Sequence, residues 1–280
     1  MLTRLFAIAL AMACTTAAQA GTLDKVKSSG SFTIGYRQDA QPFAYKTDLG
    51  EAAGYSVELC RAVASAVKQA LNLKELKIDY VPVTAENRFD ELTSGKIDIL
   101  CGATTQTLSR REKMDFSITT FIDGASVLFH KDGPQSFQQL AGKKVGVRGG
   151  TTTETSLAQA LKAAKIDAQI VKLDSHQGGL DALTARQIDA YFADRAILTF
   201  LLIQHGTGGD LMLSQRYFTY EPYALALQHG DWDFRLLVDR TLSDIYRSGA
   251  ISRLFAASFG EKAEPSEILK AMYLISTLPE

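Results

Sequence analysis

The chain carries one pattern twice, and that repetition restricts its fold more than any other feature. Lys144-Val145-Gly146-Val147-Arg148 echoes Thr33-Ile34-Gly35-Tyr36-Arg37: a short apolar strand, a central glycine, and an arginine two residues later. Further on, Ile188-Asp189-Ala190 in the run from Leu183 echoes Ile97-Asp98-Ile99 in the run from Leu92. The second unit is the shorter by a helix or a loop. After the first echo, Cys60, Val63, Ala64, Val67 and Leu71 follow the i, i+3, i+4, i+7 spacing of an amphipathic helix. Two runs of strand, helix, strand, helix, strand predict an α/β fold of two lobes, each a mostly parallel sheet flanked by helices.

Strands are predicted at residues 31–36, 78–83 and 97–100. A helix should open at Thr84 as N-cap and close at Gly95. The stretches 119–123 and 218–222 have no helical period and read as paired crossovers between the lobes. The first lobe then comprises 21–121 and 223–280, and the second 122–222. Helices are expected at 234–247, 250–259 and 267–274.

The N-terminus reads as a secretory signal. Arg4 is the only charge in the first twenty residues, 5–14 are apolar, and Ala18-Gln19-Ala20 is a small-x-small cleavage site. Cleavage after Ala20 predicts an exported protein beginning at Gly21. Lipoprotein processing at Cys14 competes, but Met12 fits that signal poorly. A net charge of −1 with 46% hydrophobic residues describes an ordinary globular chain. It gives no reason to expect nucleic acid or an anionic membrane as partner. No internal apolar run is long enough to span a bilayer.

Cys60 and Cys101 are expected first as small buried hydrophobes. A disulfide is open to them in an exported protein. The four histidines, His130, His176, His205 and His229, are scattered and no C-x-x-C occurs. Neither a metal nor a cofactor is expected.

The candidate site starts at residues 101–117. Thr104 and Thr105 fall where a strand ends, and Arg110 follows one short turn later. Hydroxyls, exposed amides and a planar cation suit a carboxylate, and ligands of open α/β sheets sit beyond the carboxyl ends of the strands. Arg37 and Arg88 also fall at strand or helix ends. Gly149-Gly150-Thr151-Thr152-Thr153-Glu154 opens a helix, with Thr151 and Glu154 as a capping box and free amides that attract anions. No Lys-Ser or Lys-Thr follows the glycines, so phosphate is not expected. His176 lies in a loop before a helix. Asp194 ends a strand, where it could hold an ammonium or cap the helix from Arg195. Nothing supports nucleophilic catalysis: there is no Gly-x-Ser-x-Gly and no Ser/His/Asp set. Arginines facing Thr105 on one side and Asp194 on the other would hold a zwitterion, an α-amino acid.

Phe32-x-Ile34-Gly35, Pro42-Phe43, Gly54-Tyr55, Cys101-Gly102-x-Thr104-Thr105, Arg110 with Phe116-Ser117, Gly150-Thr151-Thr152 and Asp194 together resemble the polar amino-acid-binding proteins of bacterial ABC importers. The resemblance covers nearly the whole mature chain. It implies a type II periplasmic-binding fold with two hinge strands, closing on one amino acid. It also implies an ABC permease and its ATPase in the inner membrane as partners, and a monomer that is not an enzyme. Arg37, Asn87-Arg88, Cys101 to Thr105 and His176 resemble the glutamate/aspartate-binding proteins in particular. By that resemblance Arg110 and Thr105 hold the α-carboxylate, Thr151 and Thr152 add donors, and Asp194 takes the α-ammonium. Arg37, Arg88 and His176 then receive the side-chain carboxylate. A charged His176 would make binding weaken as pH rises through its pKa. Ala85 and Ala103 stand where those proteins tend to carry serine. Acidic amino acids are expected first, then glutamine, asparagine or another polar amino acid. The rival from another class is a periplasmic cyclohexadienyl dehydratase-like enzyme, with Asp194 or Glu154 as its acid.

Overall fold

Each echo becomes the second strand of a five-stranded sheet. The computed structural model describes residues 21–204, 206 and 209–279. The signal peptide and its lipoprotein alternative lie outside the described residues. Strand Ser31–Arg37 runs parallel between Lys77–Val83 and Ile99–Cys101. Strand Lys144–Arg148 runs parallel between Gln169–Leu173 and Ala190–Asp194. The first sheet is completed by Ala226–Gln228 and Met114–Phe116, the second by Ala125–His130 and Leu211–Leu213. In each sheet the fourth strand is the antiparallel one, and the chain reaches it directly from a crossover.

The recurring spacing inside the echoes has a packing cause. A Cβ at Gly35 would lie 2.2 Å from Cδ1 of Ile97, and one at Gly146 would lie 2.4 Å from Cδ1 of Ile188. The isoleucine of the second echo fills the space left open by the glycine of the first. The aspartate that follows ties the same two strands: Asp98 Oδ2 accepts from the Thr33 N–H at 2.7 Å, and Asp189 Oδ2 from the Lys144 N–H at 2.9 Å. The two lobes therefore share a hydrogen-bond and packing rule, and each rule places an arginine, Arg37 or Arg148, at the carboxyl end of its strand. Gly146→Ala should overpack this contact and destabilise the protein by about 1–3 kcal/mol, read as a lower denaturant midpoint with an unchanged slope.

Between the lobes, Phe121–Asp123 and Glu221–Tyr223 pair as an antiparallel ribbon. Aromatic rings fix its root to the first lobe. Phe43 meets Phe121 and Tyr223 edge-on at 4.8 and 5.0 Å, and Phe121 stacks on Phe259 at 5.5 Å. The Tyr55 hydroxyl donates to the Thr120 carbonyl at 2.8 Å. Such rings bury large areas and prefer these offset geometries.

Two local expectations are corrected. Cys60 and Cys101 are joined as a disulfide, with Cα atoms 6.5 Å apart. It links helix Tyr55–Ala70 to the end of strand Ile99–Cys101. The helix expected from Thr84 begins instead at Arg88. Thr84 Oγ1 accepts from the Glu86 and Asn87 N–H groups, and its own N–H donates to Asn87 Oδ1 at 2.8 Å. These short-range bonds hold a turn rather than a first helical turn. Helices Trp232–Arg247, Ala250–Phe259 and Glu267–Ser276 follow the last strand. No helix of the described residues is long and apolar enough to cross a membrane.

Candidate functional site

The carboxyl ends of the two sheets face each other across a narrow cleft. Arg37, Arg88, Thr105 and Arg110 line it from one side, and Thr151, Thr152, His176 and Asp194 from the other. Ala103 lines it as well, while the Ala85 carbonyl accepts from Arg88. Thr104 is not among the lining residues. Successive side chains of extended backbone point to opposite sides, and Thr105 takes the cleft side. The Thr104 side chain is fully buried and its Oγ1 has no partner among the described residues.

The four cleft arginines differ in how they are compensated. Arg110 Nη1 donates to the Thr105 carbonyl at 2.7 Å. Its guanidinium lies 4.8 Å from the centre of the Phe89 ring, and that of Arg88 lies 4.4 Å from the same ring. Arg88 is 2% exposed. It donates to the carbonyls of Ala85 and, across the cleft, of Gly150 at 3.1 Å, and its Nε has no partner among the described residues. Burial, with Arg37 and Arg110 nearby, holds its pKa well below the usual arginine range. Arg37, by contrast, donates from Nε to Asp39 Oδ1 at 2.7 Å. Arg148 donates from Nε to Asp39 Oδ2 at 2.9 Å and grips Glu86 with both terminal nitrogens. Asp39 thus bridges an arginine of each sheet. Burial would raise its pKa, but Arg37 and Arg148 outweigh burial and hold it far below the usual carboxylate range.

His176 requires correction. It is the first residue of helix His176–Thr184 and is 4% exposed. Nδ1 lies 2.8 Å from the Tyr191 hydroxyl. Burial lowers its pKa to about 3, Asp39 opposing and Arg37 and Arg148 adding to the effect. In the empty cleft its burial thus favours the neutral imidazole, which runs against the charged His176 expected from the sequence.

At the opposite end, carboxylates gather around the crossover ribbon. Glu221 Oε2 accepts from Thr105 Oγ1 at 2.5 Å and from Thr152 Oγ1 at 2.8 Å, tying one threonine of each side to one acid. Asp194 accepts from Thr153 Oγ1 at 3.1 Å and from the Tyr223 hydroxyl. Enclosure in the cleft and the charge of Glu221 raise its pKa to about 6. Burial and Asp194 also raise that of Asp123. At the start of helix Arg195–Gln204 it is Asp123 Oδ2 that accepts from the Ala196 N–H, at 3.1 Å, and Asp194 lines the cleft. Thr151 caps helix Thr152–Ala164 by accepting from the Glu154 N–H at 3.2 Å. Glu154 returns the bond to Gly150 N–H at 2.8 Å rather than to Thr151.

Arg148, Asp39, Glu86, Glu221, Tyr223 and Phe89 were not among the expected site residues. A signal for Arg148 was present, because it occupies the place of Arg37 in the second echo. Among the described residues no group of three or more His, Cys, Asp and Glu could hold a metal.

The sequence pattern of the bacterial extracellular solute-binding proteins, family 3, is matched over residues 32–261. The chain belongs to that family. This family 3 binding protein is 32% identical over 247 residues to the L-glutamate/L-aspartate-binding protein of Pseudomonas aeruginosa, covering 88% of this chain and 82% of that one. It is 30% identical over 252 residues to the glutamate/aspartate import solute-binding protein of Salmonella typhimurium, covering 90% and 83%. Its fold matches the crystal structure of AncCDT-1, an ancestral amino acid-binding protein and precursor of cyclohexadienyl dehydratase, with a TM-score of 0.73, 26% identity and coverage of 85% and 99%. The family 3 protein therefore has the two-lobed type II periplasmic-binding fold.

Proposed function

We propose that the protein captures one polar α-amino acid between its lobes, with glutamate or aspartate first and their amides second, and delivers it to an ABC permease. The observation that carries this is a cleft with Arg110 and Asp194 at one end and Arg88 at the other. Among the described residues Arg88 is buried without an acidic partner in contact, and its Nε is unpartnered. Arg110 and Thr105 would hold the α-carboxylate, bidentately at the guanidinium. Asp194 would take the α-ammonium. Thr151 and Thr152 would add donors, and Arg88, Arg37 and neutral His176 would meet the ligand side chain.

Capture involves no chemistry. The ligand docks on the first lobe and closure brings the second, a hinge motion about the Phe121–Asp123 and Glu221–Tyr223 ribbon. Closure is driven only by contacts that the closed state makes. The lobes are assigned to residues 21–121 with 223–280, and to 122–222. In this reading the protein is an exported periplasmic monomer, and its partners are the permease and ATPase of the inner membrane. The dehydratase rival is ranked below it, since the family and the glutamate/aspartate relatives are binding proteins; a prephenate turnover assay separates the two.

A thermal-shift screen of the mature protein against the common amino acids tests the reading. A ligand that binds the folded state alone raises the midpoint with occupancy. A selective rise with glutamate, aspartate, glutamine or asparagine is the expected result. A response confined to basic or apolar amino acids would overturn the side-chain assignment.

A further inference from the structure

We propose that Asp39 sets selectivity at the side-chain end of the cleft by standing in for a ligand carboxylate. This rests on the amino-acid-binding reading above.

The argument is one of charge and reach. Three arginines surround that end: Arg37 from the first sheet, Arg88 from helix Arg88–Thr93, and Arg148 from the second sheet. Asp39 lies 2.7 Å from Arg37 and 2.9 Å from Arg148, one oxygen to each. Glu86 occupies the other edge of Arg148. Three guanidiniums against two carboxylates leave one net positive charge, assigned to Arg88, which among the described residues has no acid in hydrogen-bond contact and feels Asp39 only through its charge.

A second carboxylate on a ligand would gain Arg88 but would lie within the field of Asp39, which already acts on Arg88. Two anions held close repel unless cations separate them. A side-chain amide avoids that conflict: its carbonyl can accept from Arg88 Nε, and it brings no charge for Asp39 to repel. Asp39 therefore favours the amide over the acid, so that the cleft accepts both, and its removal should make the cleft selective for the acid.

The test is titration calorimetry of the mature protein with L-glutamate and L-glutamine, for the wild type, Asp39→Asn and Asp39→Ser. Far-UV circular dichroism checks that each variant is folded, and two variants guard against one that is not. The expected result is a rise of at least about tenfold in the Kd ratio of glutamine to glutamate when Asp39 is neutralised. Glu86→Gln, which removes a more exposed charge from the other edge of Arg148 and leaves Asp39 in place, should move the ratio in the same direction but by less; a larger shift than in the Asp39 variants would overturn the assignment to Asp39. An unchanged ratio in folded Asp39 variants that still bind overturns the proposal. So does a fall in glutamate affinity relative to glutamine. If the wild type binds no α-amino acid at all, the underlying reading fails and this proposal with it, a result distinct from binding with an unmoved ratio.

Discussion

Asp194→Asn should abolish ligand capture while making the empty protein more stable. The α-ammonium would lose its only proposed counter-charge, and removing one member of an enclosed, hydrogen-bonded charge pair costs 2–5 kcal/mol, or about 30-fold in Kd and upward. The stability effect has the opposite sign. The Asp194 pKa is raised to about 6 by enclosure and by Glu221, so its ionised form is disfavoured in the folded state and destabilises the empty protein at neutral pH. That contribution is relieved as pH falls through 6 toward the unfolded value near 4. At pH 7 the variant should therefore gain on the order of 1–2 kcal/mol, seen as a higher melting midpoint, and the gain should vanish by about pH 4. The same titration governs wild-type binding. Below pH 6 the carboxylate takes a proton, so affinity should fall by up to about tenfold between pH 7 and pH 5. Calorimetry at pH 6 in buffers of different ionisation enthalpy should show about half a proton leaving per ligand bound. A pH-independent affinity, or a variant that binds normally, would remove Asp194 from the ammonium role.

The second large effect is expected from the disulfide. Cys60 and Cys101 are 41 residues apart. Closing a loop of that size removes entropy from the unfolded chain worth about 4 kcal/mol at room temperature. The Cys60→Ser, Cys101→Ser double variant should melt roughly 8–16 °C lower. Its ligand affinity should change little, because the bridge ties a helix to a strand within the first lobe rather than lobe to lobe. A reductant should reproduce the shift in the wild type and leave the double variant unmoved.

The fold was legible because its determinants are local and periodic. The helical spacing of Cys60 to Leu71 and the doubled strand-glycine-arginine pattern depend on neighbours within one element. Arg37, Arg88, Thr105, Arg110, Thr151, Thr152 and Asp194 were recognisable as residues at element ends, where this kind of sheet presents a ligand. Thr104 beside Thr105 was not separable by residue type, since only backbone direction sends one outward and the other into the core. The acids Asp39, Glu86 and Glu221 were illegible for a different reason. Their meaning arises when one lobe approaches the other, and no spacing within a segment encodes that approach. His176 fails in the same way: its neutrality comes from enclosure by Tyr191 and the arginines around Asp39, not from its own loop.

The paired packing of Gly35 with Ile97 and Gly146 with Ile188 has one more consequence. Two halves built to one plan bring two corresponding cations, Arg37 and Arg148, to the same end of the cleft, where one acid, Asp39, is shared between them. Arg110 and Asp194 line the cleft away from that pair. In the proposed reading the cleft thereby has a head and a tail, and an amino acid, itself a molecule with a head and a tail, would have one orientation in which to enter it.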